Sequence, residues 1–416
     1  MTFKMFEFIS RWFKRIEPDD IKDSPPKQDS SRNVAASSSS TQTSTKIGQG
    51  SYGCVYRPAM PCNGQVRKGA VSKAMLERHA DTEFTNTRMI SLIDMKHIFH
   101  YPIIDRCKIS WPWDCDKPVN HQLVYEDGGI ALTKHINREA STLPEEFIYG
   151  LWRLFVGLYA LHNNGVYHFD IKPDNIVVKE VDDVYIIKYV DFGMAKNVND
   201  IMFGGVHGWK WYFNYPWYPV ETLFLNYGVL KLAEQTFNEK DTFKRLDIFL
   251  DLIEKKYKIT DLIETRAKLR VRATGEDLDS VIAYMRTNVS IILLMYNLIY
   301  NNSPVSARVK LLRFIYTRID VYSLGITLLQ SRHLLPQISV LASRMCEIDI
   351  RNRIGPCRSL IEFLSICQQL GYKNLDKIRK LGDDMLPADR LHRVGDCMKS
   401  QDEIDRDRNS LMSDQI

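Results

Sequence analysis

Residues 168–175 place two carboxylates, a lysine and an asparagine in one short segment, with Asp170, Lys172 and Asn175 at its chemically informative positions. Asp191 opens a second segment, an Asp-Phe-Gly sequence that follows a stretch with the composition of a strand. Phosphoryl transfer needs one carboxylate to orient a hydroxyl, and an aspartate and an asparagine to hold magnesium. The two segments therefore predict phosphoryl-transfer chemistry on adjacent loops.

A glycine-rich segment precedes these loops and follows a GxGxxGxV pattern. Its candidate nucleotide-binding residues are Ile47, Gly48, Gly50, Gly53 and Val55. A hairpin tip without side chains lets backbone N–H groups approach phosphate oxygens, and the second strand would place its valine over the adenine. No GK[ST] follows, which argues against a P-loop, and no helical pattern follows, which argues against a dinucleotide-binding fold.

The chain has 416 residues, too many for one compact core, so two or more domains are predicted. A composition of 44% hydrophobic and 26% charged residues is ordinary for a globular protein. The net charge of +5 argues neither for nor against nucleic acid, and no nucleic-acid partner is predicted. The longest apolar run, residues 291–300, is shorter than the ~20 residues that span a bilayer, so no membrane span is expected.

The eight cysteines lie far apart, without CxxC pairs or a secretory leader. This pattern predicts reduced thiols in a cytosolic compartment. Two histidines and two cysteines lie close enough in sequence to suggest metal binding: His97, His100, Cys107 and Cys115. Their spacing matches no zinc pattern, which disfavours a metal site there.

Composition divides the chain into four segments. Residues 1–18 predict a basic amphipathic helix, because apolar side chains recur at helical spacing with basic side chains between them. This helix could lie on an anionic membrane, dock on a partner or cover an apolar patch of its own folded domain. Residues 19–44 predict a disordered Ser/Pro-rich linker, residues 45–372 the folded catalytic region, and residues 373–416 a charged tail that is helical or disordered.

Five further segments surround these motifs in a fixed order. They read AVSK, HQLVYEDGG, PVE, DVYSLG and DIRNR, at residues 70–73, 121–129, 219–221, 320–325 and 349–353. Together with the glycine-rich segment and the two acidic loops, they resemble the motifs of the eukaryotic protein kinase superfamily, in family order. The intact catalytic loop, altered APE region and long insertion also resemble the divergent kinases of large DNA viruses.

The resemblance implies an α+β, bilobal protein-kinase-like fold. Residues 45–129 would form a small β-rich N-lobe, and residues 130–372 a large α-helical C-lobe with a helical insertion at residues 222–319. The insertion has nearly a hundred residues, which is far above ordinary loop lengths. The family's connection at this place is usually on the order of a dozen residues. Apolar residues recur in it at helical spacing, so several helices are expected, which could dock a partner or substrate or enlarge the core of the lobe.

The resemblance also implies roles for the residues of the two acidic loops. Asp170 would orient the substrate hydroxyl, and Lys172 would neutralise the transferring γ-phosphoryl group. Asn175 and Asp191 would each bind magnesium. The KPDN sequence that contains Lys172 resembles serine/threonine kinases.

Lys73 stands where the family has the lysine that bridges the α and β phosphates of ATP. Lys68 competes for this role but lacks a strand-like flank. The lysine needs a carboxylate partner, and Glu83, in a helix expected over residues 81–95, is the candidate. Two other carboxylates could pair with the lysine. Glu77 comes too soon after the strand, and Asp94 is possible but has a shorter side chain.

Three other segments have roles that follow from the resemblance alone. Glu126 lies in the hinge-like segment, where backbone groups would grip adenine. Arg353 would pair with Glu221 of the APE-like motif. The helix containing Asp320 would anchor the catalytic loop.

The chain departs from the family around its activation segment. Phe169 replaces the arginine that binds an activation-segment phosphate, and no Ser or Thr occurs between Asp191 and Glu221. The missing residues include the threonine that in serine/threonine kinases touches the catalytic aspartate and lysine. We therefore expect packing, rather than Ser/Thr phosphorylation, to hold this segment. The candidate packing residues are Trp209, Trp211, Tyr212, Phe213 and Trp217.

These patterns predict an enzyme that uses ATP and Mg²⁺ to phosphorylate Ser/Thr hydroxyls of protein substrates, located in the cytoplasm, or in the host cytoplasm or virion if viral. Two alternatives stay open: a pseudokinase scaffold, and a kinase-like enzyme acting on a lipid or small molecule. The presence of Lys73, Asp170, Asn175 and Asp191 weighs against the scaffold. The sequence does not predict the oligomeric state.

Overall fold

The computed structural model describes residues 43–197 apart from Trp111, Trp113 and 137–142, and residues 215–385 apart from Phe237, 303–304, Arg332 and Asn374. The amphipathic helix expected at residues 1–18, most of the linker, the end of the tail and four of the activation-segment aromatics lie outside these ranges. Contacts divide the chain into two compact units. The first comprises Met1–Ala80 and Ile104–Tyr125, and the second comprises Asp81–Ile103 and Glu126–Ile416.

A five-stranded sheet forms the first unit, in the order β1-β2-β3-β5-β4. Its strands are β1 Thr45–Gln49, β2 Gly53–Arg57, β3 Ala70–Met75, β4 Ile103–Lys108 and β5 His121–Glu126. β1 pairs antiparallel with β2, and β2 pairs antiparallel with β3. The sheet is the expected β-rich N-terminal half of an α+β fold.

Two disulfides join segments of the first unit. Cys54 is bonded to Cys115, and Cys62 to Cys107. The prediction of reduced thiols was therefore wrong for these four residues. Their sequence separations of 61 and 45 residues are closed by the packing of the sheet and its loops, which spacing alone does not reveal.

Helix α1, Glu77–Ile93, begins four residues before the predicted start at residue 81. Glu77 lies in its first turn, where a carboxylate interacts favourably with the partial positive charge of the helix N-terminus. Glu77, the alternative partner for Lys73 that lies nearer the strand, is thus part of the same helix as Glu83. The prediction of a helix around Glu83 was correct, but its boundary was wrong.

The second unit contains the remaining helices and two small sheets. The sheets are β6-β8-β9 and β10-β7, with strands β6 Ile130–Ala131, β7 Val166–Tyr167, β8 Ile176–Val181, β9 Val184–Tyr189 and β10 Lys196–Asn197. The helices before the insertion are α2 Leu132–Ile136, α3 Glu145–Gly150 and α4 Trp152–Asn163. Helix α4 is buried nearly all round, as expected of a central core helix.

Four helices and the start of a fifth fill the insertion. They are α5 Tyr227–Gln235, α6 Thr242–Tyr257, α7 Ile259–Thr274, α8 Leu278–Asn302 and α9 Val305–Leu329, followed by α10 Pro336–Met345, α11 Pro356–Gln369 and α12 Leu375–Asp384. The expectation of several helices is confirmed. Residues 278–296 are long and apolar enough to cross a membrane by length and composition. A core helix of a soluble protein passes the same test, and one face of this helix, including Val289 and Leu293, is buried.

The insertion helices bury their apolar faces in one hydrophobic cluster, which we call the insertion cluster. It includes Phe249 of α6, Ile263 of α7 and Val289 of α8. The same cluster contains Tyr167 and Phe169, which directly precede Asp170. The inserted residues therefore belong to the core of the second unit and pack with the segment that carries Asp170.

Candidate functional site

The loop that carries Asp170 is fixed by one buried carboxylate. Asp320 of α9 accepts hydrogen bonds from the backbone N–H groups of His168, at 2.7 Å, and Phe169, at 2.9 Å. It also contacts Nε2 of His162 at 3.0 Å. Burial alone would raise the pKa of Asp320, but hydrogen bonds from His162 and the loop, with the nearby imidazoles, lower it. Asp320 therefore stays ionised and anchors the loop, as predicted for its helix.

Phe169 adopts a left-handed backbone conformation with φ of +56°. Such a conformation is rare for a bulky residue and is maintained where surrounding packing enforces it. The Phe169 side chain is fully buried in the insertion cluster, and its ring lies 5.5 Å from that of Tyr167. The residue that replaces the family's arginine thus contributes packing instead of a positive charge.

Asp170, Lys172 and Asn175 form a compact hydrogen-bonded network. Lys172 Nζ lies 3.0 Å from both carboxylate oxygens of Asp170. Asn175 Nδ2 donates to Oδ2 of Asp170 at 2.7 Å and to its backbone carbonyl at 2.9 Å. The short 3-10 turn Pro173–Asn175 brings the asparagine back toward the aspartate. Asp170 is only 7% exposed, so this network orients its carboxylate firmly.

Asp191 occupies a tight turn at the start of the second acidic loop. Its φ is +62°, and Oδ1 of its carboxylate accepts a hydrogen bond from Gly193 N at 3.4 Å. The following 3-10 turn, Phe192–Met194, buries the Phe192 ring. The turn therefore separates a polar aspartate from a buried phenylalanine.

The two acidic loops lie next to each other. Val190 N donates to the Asn175 carbonyl at 2.9 Å, and the His168 and Phe192 rings are 4.7 Å apart. Burial lowers the pKa of His168, while Asp320, Asp170 and Asp191 oppose this effect. The contacts of Val190 with Asn175 and of Phe192 with His168 therefore bring the segments that carry Asp170 and Asp191 together.

Helix α1 packs against the turn that contains Asp191. Asn86 Nδ2 donates to the Phe192 carbonyl at 2.8 Å. Glu83 is 3% exposed, and a Cβ built on Gly193 would lie 3.6 Å from its Oε2. The Glu83 carboxylate therefore faces the Asp191 turn. Its pairing with Lys73, which belongs to the first unit, stays a prediction.

The predicted phosphate-binding hairpin lies in the first unit. Gly50 N donates to the Gly53 carbonyl at 2.8 Å, which closes the turn between β1 and β2. Cβ atoms added at Gly48 and Gly50 would meet open space, whereas one at Gly53 would lie 1.8 Å from the Ala74 carbonyl oxygen. Gly53 is thus required by strand packing, while the other two glycines leave the hairpin backbone uncovered.

Lys73 and Val55 are directly opposite each other in the β2–β3 ladder. Ile47 in β1 is exposed and Val55 in β2 is half-buried, and both belong to the same sheet as Lys73. Glu126 ends β5 in the sequence and contacts Lys179 at 3.4 Å on an exposed surface. A role for Glu126 in binding adenine would use its backbone.

The predicted ion pair between Arg353 and Glu221 is confirmed. Arg353 Nη1 contacts Oε1 of Glu221, and both side chains are fully buried. Asn288 of the insertion donates to Oε2 of Glu221 at 3.2 Å. The insertion thus supplies part of the polar environment of this ion pair.

Tyr215 belongs to the network around Asp170, although the sequence does not assign it there. Its hydroxyl donates to Oδ1 of Asp170 at 2.7 Å. No spacing rule marks a side chain that contacts a residue 45 positions earlier in the chain, so the sequence carries no signal for this contact.

The donor set around Asn175 suits a hard divalent cation. Because its amide nitrogen donates twice to Asp170, its amide oxygen is directed away from that carboxylate. An amide oxygen and the Asp191 carboxylate are ligands of the type that magnesium prefers, with phosphate oxygens and waters completing its shell. The residues present therefore fit Mg²⁺.

Comparison with known proteins agrees with this geometry. Residues 41–214 match the family model of the protein kinase domain. Cyclin-dependent kinase 4 of Mus musculus is 30% identical over 165 residues, covering 36% of this chain and 50% of that protein. Cyclin-dependent kinase 14 of Xenopus tropicalis is 27% identical over 157 residues, covering 36% and 33%.

Ribosomal protein S6 kinase alpha-1 of Rattus norvegicus is 28% identical over 157 residues, covering 37% of this chain and 20% of that protein. The chain therefore spans half or less of the length of these curated relatives. The matched region contains the glycine-rich hairpin, Lys73 and both acidic loops.

Proposed function

Because the chain carries a protein kinase domain of the eukaryotic type, we propose that it transfers the γ-phosphate of ATP to Ser/Thr hydroxyls of protein substrates. The observation that carries this proposal is the network around Asp170. Its carboxylate is oriented by Lys172 and Asn175 at 2.7–3.0 Å, beside the loop that carries Asp191. Phosphoryl transfer to a hydroxyl needs an oriented carboxylate beside a positive charge, and here the Lys172 ammonium group supplies that charge.

Each residue has a defined task in this proposal. Asp170 accepts the hydrogen bond of the attacking hydroxyl and holds its oxygen in line with the γ-phosphorus. Lys172 compensates the charge on the transferring group. Asn175 and Asp191 would hold Mg²⁺, which supplies charge neutralisation on the phosphates when bound. Lys73 and the hairpin of Gly48, Gly50 and Gly53 would bind the phosphates of ATP.

Serine/threonine specificity is supported by Lys172 itself. The KPDN sequence resembles that of serine/threonine kinases, and the lysine contacts both oxygens of the catalytic carboxylate. Residues 191–221 contain no Ser or Thr and so lack the threonine that in serine/threonine kinases contacts the catalytic aspartate and lysine. The choice of acceptor is therefore the part of the proposal that the assay must test directly.

One assay tests the proposal and its rivals. Purified protein is incubated with labelled ATP, Mg²⁺, a mixed-protein substrate and a lipid extract, and labelled proteins are hydrolysed to identify the phosphorylated amino acid. We expect phosphoserine and phosphothreonine. Asp170→Asn should reduce the rate by about three orders of magnitude while nucleotide binding is retained, because one catalytic charge is lost.

Asp174→Asn is the matched control, since it removes the same charge from the same loop. Asp174 is exposed and accepts a hydrogen bond from Thr133 at 2.7 Å. Its substitution should change the rate by less than about twofold. Label in lipid alone would favour the small-molecule alternative. ATP binding without transfer to any acceptor would favour the pseudokinase.

A further inference from the structure

Tyr215 contacts both charged residues that the proposed reaction uses. Its hydroxyl donates to Oδ1 of Asp170 at 2.7 Å. Its ring lies beneath the Lys172 ammonium group, with Nζ 5.3 Å from the ring centroid. A hydrogen bond to a carboxylate and a cation–π contact to a lysine are both stronger than neutral contacts in a partly buried site.

These contacts engage both carboxylate oxygens of Asp170. Oδ1 accepts from Tyr215 and Lys172, and Oδ2 accepts from Lys172 and Asn175. The lysine ammonium group can donate to either oxygen and so does not fix the rotation of the carboxylate by itself. The Tyr215 hydroxyl and the Asn175 amide contact different oxygens, and together they define the plane of the carboxylate.

Tyr215 is itself held in place by its neighbours. Its ring packs edge-on against Tyr218, with centroids 4.7 Å apart, and Tyr218 donates its hydroxyl to the backbone carbonyl of Phe169. Both rings pack in the insertion cluster. A side chain that had to leave the site in every catalytic cycle would lose these contacts each time, so the packing favours a permanent contact over a removable block.

The protonation state of Tyr215 suits a permanent donor. Burial first, and then the adjacent Asp170 carboxylate, raise the pKa of the Tyr215 phenol well above its ordinary value. The hydroxyl therefore keeps its proton throughout the physiological pH range and continues to donate to Asp170.

We propose that Tyr215 is a positioning residue of the phosphotransfer reaction, whose hydroxyl and ring set the orientation of Asp170 and Lys172. The segment from residue 191 to residue 221 contains no Ser or Thr that could contribute a hydroxyl to this task. The tyrosine side chain of residue 215 is long enough for its hydroxyl to reach the Asp170 carboxylate. This inference rests on the proposed function, because it acts through Asp170.

The test is a double-mutant cycle between Tyr215→Phe and Asp170→Asn. Tyr215→Phe keeps the ring and removes only the hydroxyl. We expect kcat to fall by about tenfold or more, as for loss of a hydrogen bond to a charged group, with KM for ATP unchanged. In the Asp170→Asn background the same substitution should change kcat by less than about twofold, because the carboxylate through which it acts is gone.

Tyr218→Phe is the matched comparator. It removes a hydroxyl from the same segment, but this hydroxyl contacts a backbone carbonyl instead of a carboxylate. A structural effect of this kind should have the same size in both backgrounds. Binding of ATP to each variant, measured on the same samples, shows that the protein is folded.

Each result decides the inference. Tyr215→Phe with wild-type kcat, or with a full effect in the Asp170→Asn background, would overturn it. A rate above wild type would show that the hydroxyl blocks the acceptor position instead. If Asp170→Asn alone retained wild-type activity, the proposed function would fail first, and that outcome is visible before Tyr215 is changed.

Discussion

Glu221→Gln should strongly destabilise the second unit, because it leaves the buried Arg353 without its carboxylate partner. Glu221 and Arg353 are each 0% exposed at their side chains, and Glu221 also opposes the burial that lowers the pKa of Arg266 to about 10. Breaking a buried ion pair by removing one partner typically costs 3–5 kcal/mol, about the range expected here.

Two features of the structure set the expected value within this range. Arg353 keeps backbone acceptors, with Nε 2.8 Å from the Glu347 carbonyl and Nη2 3.3 Å from the Ile348 carbonyl, which lowers the cost. Arg266 also loses the compensating negative charge of Glu221, which raises the cost of the substitution. We therefore expect about 4 kcal/mol, near the middle of the range.

Urea unfolding followed by far-UV circular dichroism measures this loss. The double variant Glu221→Gln/Arg353→Met should be less destabilised than the sum of the two single variants, because it contains no unpaired buried guanidinium at that position. The control Asp251→Asn breaks an exposed pair with Lys255, 2.6 Å apart, and should leave the urea midpoint unchanged. A Glu221→Gln variant within about 1 kcal/mol of wild type, or strict additivity in the double variant, would refute the reasoning.

Three other perturbations follow from the packing. Asp320→Asn should lower kcat by about tenfold or more, measured in the labelled-ATP assay, because the ionised carboxylate that fixes the catalytic-loop backbone is lost. Gly157→Ala places a Cβ 2.7 Å from the Phe99 ring and should cost about 1–3 kcal/mol in urea unfolding, relieved by Phe99→Leu. Replacing Cys54 and Cys115 by serine should destabilise the first unit by about 4 kcal/mol, since the bond closes a 61-residue separation; an unchanged urea transition would contradict this.

The acidic loops could be read from the sequence because their chemistry restricts residue type and order. An aspartate, a lysine and an asparagine spaced two and three residues apart can converge only if the chain turns tightly, and the 3-10 turn Pro173–Asn175 provides that turn. The contact between Arg353 and Glu221 was also predictable, since both belong to motifs with a fixed order. Motif reasoning therefore identified contacts across more than a hundred residues of sequence.

Other features depend on packing that periodicity does not specify. Helical spacing predicted helices in the insertion but left open whether they dock a partner or enlarge the core, and burial of residues such as Phe249 and Val289 shows that they join the core. The pairing of Cys54 with Cys115 depends on how a loop returns to the sheet. The contact from Tyr215 to Asp170 depends on a rotamer and on the path of the activation segment, neither of which has a sequence signature.

The departures from the family pattern are physically connected. Phe169, in place of an arginine, packs its ring in the insertion cluster, and its backbone carbonyl accepts a hydrogen bond from Tyr218. Tyr218 in turn packs against Tyr215, which contacts Asp170. The insertion helices contribute apolar side chains to the same cluster, and Asn288 of the insertion also donates a hydrogen bond to Glu221. Apolar packing around Phe169 and Tyr218 therefore positions Tyr215 against Asp170, and the insertion supplies much of the apolar surface that this packing requires.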